Sequence, residues 1–138
     1  MKSENIIGTI QAQQSSIPMK KHTVVVADDD LAILDAMKLM LELYNFDVET
    51  IEDGRVMTKL VSIQPKLLLL DVCMSGVDGR DICRTVKATA ATKDIPVILI
   101  SASVDLANIV KDSGADDYLS KPFEMQDLIS KVNKYLLN

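Results

Sequence analysis

Five short apolar runs alternate with five helical segments along this chain of 138 residues. The predicted strands are 23–27, 47–51, 67–70, 96–100 and 117–119, and the predicted helices are 31–44, 54–63, 80–90, 104–112 and 124–137. Strands that alternate with helices imply a parallel sheet with helices on both faces, and right-handed crossovers leave few topologies for it. Residues 67–70 fit this arrangement, because four consecutive leucines are typical of a strand buried on both faces. The sequence therefore predicts a doubly wound α/β domain.

The composition excludes several classes of protein. Hydrophobic residues make up 48% of the chain, which is too many for a wholly disordered protein, and no apolar run approaches the roughly 20 residues of a membrane span. Fifteen basic and twenty acidic residues give a net charge of −5, which argues against direct nucleic acid binding. Two cysteines do not make a disulfide scaffold, and no secretory signal is visible. We expect a reduced, cytoplasmic domain without membrane insertion.

The first 22 residues differ from the rest of the chain. Residues 11–16 form a polar stretch with no sustained period, and Pro18 follows it. We interpret residues 1–22 as a flexible tail and residues 23–138 as one folded domain. We also expect residues 1–18 to be dispensable for stability.

Polar residues follow four of the predicted strands. In open sheets of this kind, binding sites form at the carboxyl ends of the strands, near the switch in strand order. The residues at these ends are Asp28, Asp29 and Asp30 after the first strand, Asp71 after the third, Ser101 after the fourth and Lys121 after the fifth. Asp71 is the hardest to explain as an ordinary surface residue, because the run before it is buried and burial of a lone charge is costly.

This set of side chains indicates phosphoryl chemistry. Clustered carboxylates repel one another, and a divalent cation relieves the repulsion; hard oxygen ligands of this kind suit Mg²⁺. The metal would neutralise an incoming phosphoryl group, while the Lys121 ammonium and the Ser101 hydroxyl would bind its other oxygens. Asp71 would then act as a nucleophile and become an aspartyl phosphate.

Four segments carry a resemblance to the receiver domain of two-component response regulators. They are residues 24–30 (VVVADDD), 68–79 (LLLDVCMSGVDG), 95–102 (IPVILISA) and 114–123 (GADDYLSKPF). The resemblance covers roughly residues 23–137. It implies a flavodoxin-like fold with five helices and five parallel strands in the order 2-1-3-4-5, which is the well-known order of this fold and comes from the resemblance alone. It also implies a cis peptide bond between Lys121 and Pro122.

The resemblance further implies a phosphoacceptor and a metal site. Asp71 matches the phosphoacceptor of the family. Asp28 and Asp29 match the acidic pair that holds Mg²⁺ or Mn²⁺. Asp71 and the backbone carbonyl of Cys73 would complete the protein ligands.

Three other residues match the switch machinery of the family. Ser101 matches the hydroxyl that moves toward the phosphoryl group, Tyr118 the aromatic residue that then turns inward, and Lys121 the lysine that pairs with the phosphate. The chain departs from the family pattern at Ser75, where proline is usual, so we expect a more mobile loop there. We interpret Asp30 as the N-cap of the first helix rather than as a ligand.

The predicted function is a phosphorylation-activated signalling switch. A histidine kinase or a histidine phosphotransfer protein would phosphorylate Asp71, since His22, the only histidine, precedes the first strand and is expected to be solvated. The surface of helix 4, strand 5 and helix 5 would then change and control a downstream protein target, with a phosphorylation-dependent dimer as a further outcome. The sequence contains no output domain, so we expect a single-domain regulator, a relay intermediate or a receiver that belongs to a larger protein such as a hybrid kinase. It would be no conventional enzyme, although it would assist its own phosphorylation and dephosphorylation.

Two alternatives remain open at this point. The first is a pseudo-receiver that keeps the fold as a docking module without phosphorylation, although the complete set of acids, hydroxyl and amine argues against it. The second is a Mg²⁺-dependent phosphohydrolase that forms an aspartyl phosphate. Such enzymes need a second aspartate two residues after the nucleophile, where this chain has Cys73.

Overall fold

A computed structural model of the protein describes residues 23–74 and 76–137. The predictions about the tail, residues 1–22, and about the loop residue Ser75 lie outside the described residues. Within them, no helix is long and apolar enough to cross a membrane.

The described residues form seven strands and five helices. The strands are β1 (Thr23–Ala27), β2 (Asp47–Ile51), β3 (Leu67–Asp71), β4 (Cys73–Met74), β5 (Val77–Asp78), β6 (Val97–Ser101) and β7 (Asp117–Ser120). The helices are α1 (Leu31–Leu43), α2 (Val56–Ile63), α3 (Gly79–Ala88), α4 (Leu106–Ser113) and α5 (Met125–Leu136).

Five of the strands form one parallel sheet in the order β2-β1-β3-β6-β7. When only these five strands are counted, the order is 2-1-3-4-5, so the predicted doubly wound fold is confirmed. In the sheet, β2 lies on one side of β1, whereas β3, β6 and β7 lie in this order on its other side. The switch in strand order therefore lies between β1 and β3, and the chain leaves these strands at Asp28 and Asp71.

Helices cover both faces of the sheet and create two apolar cores. Side chains of α2, α3 and α4 pack on one face, and side chains of α1 and α5 pack on the other. Strand β3 contributes to both cores, because Leu68 and Leu70 point into the first and Leu67 and Leu69 into the second. All four leucines are fully buried, which explains the continuous apolar run that predicted a central strand.

A short antiparallel hairpin follows β3 and was not predicted. Strands β4 and β5 pair Cys73 with Asp78 and Met74 with Val77. Two-residue strands are too short to show the alternating pattern by which a strand is predicted from sequence. Gly79 is in fact the first residue of α3, with Asp78 as its N-cap.

The helix ends differ from the predictions in ways that local contacts explain. The first helix was predicted to extend to residue 44, but Tyr44 is the C-cap residue and 50% exposed, because the chain turns at Asn45 with φ 68°. Helix α4 begins at Leu106 rather than two residues earlier, and Val104 is fully exposed. The predicted cap at Asp30 is confirmed, because its side chain caps α1. Gly114 is the C-cap of α4, and its φ of 80° suits glycine.

Gly79 allows α3 to approach the end of β3 closely. Its N–H donates a hydrogen bond of 2.8 Å to the carbonyl oxygen of Val72. A β-carbon at this position would overlap the carbonyl oxygen of Asp71 and lie 2.8 Å from the Cα of Val72. These are backbone atoms, so relief of the overlap requires movement of the segment that carries Asp71.

We expect Gly79→Ala to lower the free energy of unfolding by about 1–3 kcal/mol, the usual cost of overpacking, although alanine is the better helix former. Gly54→Ala is the matched control, because its β-carbon would meet only the side chain of Val77, at 3.1 Å. Urea unfolding curves of the two variants and the parent protein test this expectation. Equal losses in the two variants would contradict it.

Candidate functional site

Three carboxylates meet at the carboxyl ends of β1 and β3. Ala27 pairs with Leu70 across these strands, so the residues that follow, Asp28 and Asp71, reach the same edge of the sheet. Asp28 and Asp71 are buried, and Asp29 is partly buried. One carboxylate oxygen from each of the three acids lies within 4.8 Å of the other two. The structure thus brings together the acids that the sequence predicted to cluster.

Lys121 contacts both buried carboxylates. Its Nζ lies 3.2 Å from Oδ2 of Asp28 and 3.3 Å from Oδ1 of Asp71. The backbone N–H of Lys121 donates a hydrogen bond of 2.8 Å to the carbonyl oxygen of Ser101, which fixes the segment after β7 against the end of β6. The Lys121–Pro122 peptide bond is cis, as predicted.

The electrostatics of the cleft are dominated by excess negative charge. Burial raises the pKa of Asp71 above its ordinary value, the charge of Asp28 raises it further, and Lys121 and the N–H of Cys73 only partly oppose this. Burial alone would lower the pKa of Lys121, but attraction to Asp71 and Asp28 outweighs burial and raises it. One ammonium thus contacts two buried carboxylates, with a third carboxylate close by, and such a cluster of oxygen atoms is suitable for an additional cation.

Asp30 supports the cleft through its backbone. Its N–H donates a hydrogen bond of 2.9 Å to Oδ1 of Asp28, while its own carboxylate accepts hydrogen bonds from the N–H groups of Ala32 and Ile33. The start of α1 thereby orients Asp28, whose other oxygen contacts Lys121. This agrees with the interpretation of Asp30 as a cap rather than as a ligand.

Ser101 lies on the strand beside Asp71. Asp71 pairs with Ile100, so Ser101 is one residue further along the neighbouring strand. Ser101 is 5% exposed, and its Oγ accepts a hydrogen bond of 3.0 Å from the N–H of Ser103. The hydroxyl is therefore at the level of the cleft, as predicted.

Tyr118 is not part of the carboxylate cluster. It lies on the edge strand β7, where it is 37% exposed. Its ring is close to α5, since Nζ of Lys131 is 5.3 Å from the ring centroid. The structure thus shows the predicted switch aromatic in an outward orientation.

The two cysteines differ from each other. Cys83 is buried among apolar side chains, whereas Cys73 is exposed. Cys73 belongs to the β4–β5 hairpin, in which the neighbouring Met74 packs into the first core and Cys73 does not. The proposed use of its backbone carbonyl as a metal ligand stays a prediction.

The sequence analysis missed one charged pair at the rim of the cleft. A cavity of about 430 Å³ beside the acids is lined in part by Asp29, Cys73, Asp78 and Arg80. Nη2 of Arg80 lies 2.7 Å from Oδ2 of Asp78, whose side chain also caps α3. No local pattern distinguishes this pair from ordinary surface charges, because its position depends on the hairpin.

Comparison with known proteins assigns the family. The response regulator receiver domain family matches residues 24–133. The chain belongs to this family. The curated relative "DNA-binding dual master transcriptional regulator RpaA" of Synechocystis is 35% identical over 116 residues, which are 82% of this chain and 48% of RpaA. The chain thus spans about half the length of the curated relatives it matches.

Solved structures of receiver domains share the fold of this chain. The receiver domain of a signal transduction histidine kinase from Syntrophus aciditrophicus has a TM-score of 0.75 and 29% identity, covering 84% of this chain and 90% of that one. The receiver domain of the sensor histidine kinase PA1611 from Pseudomonas aeruginosa has a TM-score of 0.76 and 21% identity, covering 86% of this chain and all of that one. That neighbour holds a magnesium ion in its active site cleft.

Membership in the family carries a general function. Receiver domains are signalling switches of two-component systems rather than conventional enzymes, and histidine kinases are their phosphodonors. They bind Mg²⁺ at an acidic pocket, and an acidic cluster is present here in Asp28, Asp29 and Asp71.

Because Asp71 is buried, we expect the free energy of unfolding to increase when the negative charge of Asp71 is removed. Because the folded state raises the pKa of this acid, its ionised form destabilises the fold at neutral pH, and that cost disappears as the pH falls through the raised pKa toward about 3.9. We expect Asp71→Asn to unfold at a higher urea concentration than the parent protein at pH 7 in EDTA, and this advantage to shrink at acidic pH.

Asp78→Asn is the matched control for this measurement. Hydrogen bonds from Arg80 lower the pKa of Asp78, so its charge stabilises the fold above about pH 4 and its removal is expected to destabilise slightly. A shift of both variants in the same direction would contradict the charge argument for Asp71.

Proposed function

We propose that this protein is a phosphorylation-activated switch in which Asp71 accepts a phosphoryl group from a histidine kinase or a histidine phosphotransfer protein. The observation that carries this proposal is the contact of one ammonium, Lys121, with two buried carboxylates at 3.2 and 3.3 Å, beside a third acid, Asp29. A structural ion pair needs only one acid. The surplus of buried negative charge is costly unless the site works with a cation.

The donor set fits Mg²⁺ or Mn²⁺. Asp28, Asp29 and Asp71 would hold the ion together with the backbone carbonyl of Cys73, and all four groups offer hard oxygen atoms. When bound, the ion supplies charge neutralisation for an incoming phosphoryl group. The hydrogen bond from the N–H of Asp30 holds one oxygen of Asp28 in place.

The chemistry required of the protein is modest. A carboxylate oxygen of Asp71 forms a bond to phosphorus, the bond from phosphorus to the imidazole nitrogen of the donor breaks, and its electron pair stays on that nitrogen. Lys121 pairs with a phosphoryl oxygen that arrives beside Asp71. Phosphoryl transfer depends mainly on positioning and charge neutralisation, and both are available at the end of β3. The same groups would assist later hydrolysis of the aspartyl phosphate.

The phosphoryl charge would then act on the neighbouring strands. Ser101 would move toward the phosphoryl oxygens and Tyr118 would turn inward, so that the surface of α4, β7 and α5 changes and controls a downstream protein target or a dimer. We further propose that residues 23–138 form the receiver domain and contain this switch.

An apolar face of α1 beside the cleft suits the phosphodonor. Ala32, Ala36, Leu39 and Leu43 are exposed and follow one another at spacings that place them on one side of the helix. A cavity of about 410 Å³ lies between Ala36 of this face and Lys121, the residue that contacts Asp28 and Asp71. Exposed apolar patches mark interaction sites, and a donor seated here would present its phosphoryl group to Asp71.

The first test is the intact mass of the protein after incubation with Mg²⁺ and a small phosphodonor such as acetyl phosphate. We expect one added phosphoryl group, absent from Asp71→Ala and absent in EDTA. Beryllofluoride, a phosphoryl mimic that does not hydrolyse, distinguishes rapid loss of the group from a failure to react. Absence of both the adduct and beryllofluoride binding would support a pseudo-receiver instead.

The donor surface is tested by Leu39→Lys on α1. With a histidine kinase selected for phosphorylating the parent protein, we expect transfer to slow by about tenfold, the effect of losing one well-placed contact residue. Phosphorylation by acetyl phosphate should not change. Val61→Lys is the matched control, because Val61 is 49% exposed but lies on α2. Equal slowing in both variants would contradict this placement of the donor.

A further inference from the structure

Asp117, the first residue of β7, connects this edge strand to α5. Its Oδ1 accepts hydrogen bonds from Nζ of Lys131 at 2.7 Å and from the N–H of Tyr118 at 2.8 Å. Its Oδ2 accepts hydrogen bonds from Nζ of Lys134 and from the hydroxyl of Tyr135, both at 3.1 Å. Asp117 is only 8% exposed, and its carboxylate accepts hydrogen bonds from all four of these donors.

These donors keep Asp117 ionised. Burial alone would raise its pKa, but the hydrogen bonds, that of Lys131 foremost, outweigh burial and lower the pKa of Asp117 to about 2. At neutral pH the carboxylate is therefore a fixed negative charge, and it holds the ammonium of Lys131 in one place.

That place is next to the ring of Tyr118. Nζ of Lys131 lies 5.3 Å from the ring centroid, within the range of a cation–π interaction. Lys134 makes the same kind of ion pair with Asp117, but its ammonium lies 5.3 Å from the ring of Tyr135 instead. The two lysines thus share Asp117 and differ in the aromatic ring that each one contacts.

The position of Tyr118 in β7 determines which movement of its ring would break the contact with Lys131. Asp117 and Leu119 face α5, because Asp117 binds α5 side chains and Leu119 packs in the core formed with α1 and α5. Side chains alternate along a strand, so Tyr118 leaves the sheet on the side of α4. Since β7 is the edge strand, Lys131 reaches the ring around the edge. A rotation of the ring inward, toward α4 and β6, would separate it from Lys131.

We propose that Lys131 is a positioning residue that holds Tyr118 in its outward orientation and thereby sets how readily the switch responds at Asp71. This inference rests on the proposed function, in which Tyr118 turns inward when Asp71 carries a phosphoryl group. A cation–π contact at an exposed site changes the ratio of two orientations by about two- to fivefold. A ligand that binds only when Tyr118 is inward uses part of its binding free energy to shift the ring from the outward orientation. Removal of the Lys131 contact therefore increases the affinity of the protein for such a ligand by no more than the same factor.

The experiment compares three variants of the full chain: Lys131→Met, Lys131→Arg and Lys134→Met. The measured quantities are the affinity for beryllofluoride in the presence of Mg²⁺ and the ¹⁹F resonance of fluorotyrosine at Tyr118, assigned with Tyr118→Phe. We expect Lys131→Met to bind beryllofluoride about two- to fivefold more tightly and to shift the Tyr118 resonance of the free protein. Lys131→Arg, which keeps the charge, should behave like the parent protein.

Lys134→Met is the matched control, because it removes an ion pair with Asp117 but leaves the ring of Tyr118 in contact with Lys131. We expect its beryllofluoride affinity to equal that of the parent. The effect of Lys131→Met should also vanish in a Tyr118→Ala background, since a residue that acts through Tyr118 has no effect without it.

Three results would overturn the inference. They are an unchanged affinity in Lys131→Met, equal gains in Lys131→Met and Lys134→Met, and a gain that persists in the Tyr118→Ala background. Failure of the proposed function is recognised separately, because the parent protein and all variants would then fail to bind beryllofluoride.

Discussion

Two carboxylates buried side by side, Asp28 and Asp71, are the constraint on which the rest of the structure depends. Neither charge is tolerable alone at this depth, and Lys121 compensates them only in part. Their proximity follows from the pairing of β1 with β3, which brings two strand ends to one edge. Lys121 reaches them from the segment after β7, three strands away from β1 in the sheet. The cleft therefore exists only when the whole sheet is assembled.

The hydrophobic core supports this cleft from below. Strand β3 is buried at every position and shares its leucines between the two cores, so its carboxyl end can hardly move. The end of β3 is further confined by α3, which approaches so closely that only glycine fits at position 79. On the other side, the backbone of Asp30 orients Asp28 at the start of α1. Asp71 therefore lies at the end of a strand that is packed on both faces and confined by α3.

Strand β7 connects the cleft to the outer surface of the molecule. The segment after β7 carries Lys121, which contacts Asp71. Tyr118 lies within β7, at the edge of the sheet. Ser101, at the end of β6, pairs with Ser120 of β7. Of the two residues proposed to bind a phosphoryl group on Asp71, Lys121 therefore follows β7 and Ser101 lies beside it. Asp117 anchors the beginning of this strand to α5. In the proposed switch, a phosphoryl group on Asp71 would therefore act on a strand whose beginning is held to α5 by Asp117.

The amino-acid sequence by itself determined the alternation of strands and helices, the central position of β3, the cap at Asp30 and the acids, hydroxyl and amine of the cleft. These features are readable because period, apolar runs and cap chemistry are local properties of a chain. The resemblance to receiver domains supplied the strand order, which was then found. Only the tertiary structure decided the β4–β5 hairpin, the exposure of Tyr44 and Cys73, and the contact of Lys131 with Asp117 and Tyr118. The Lys131 contacts depend on which distant segments pack together. The hairpin and the turn at Asn45 depend on backbone geometry over a few residues, and neither a hydrophobic period nor an apolar run records such geometry.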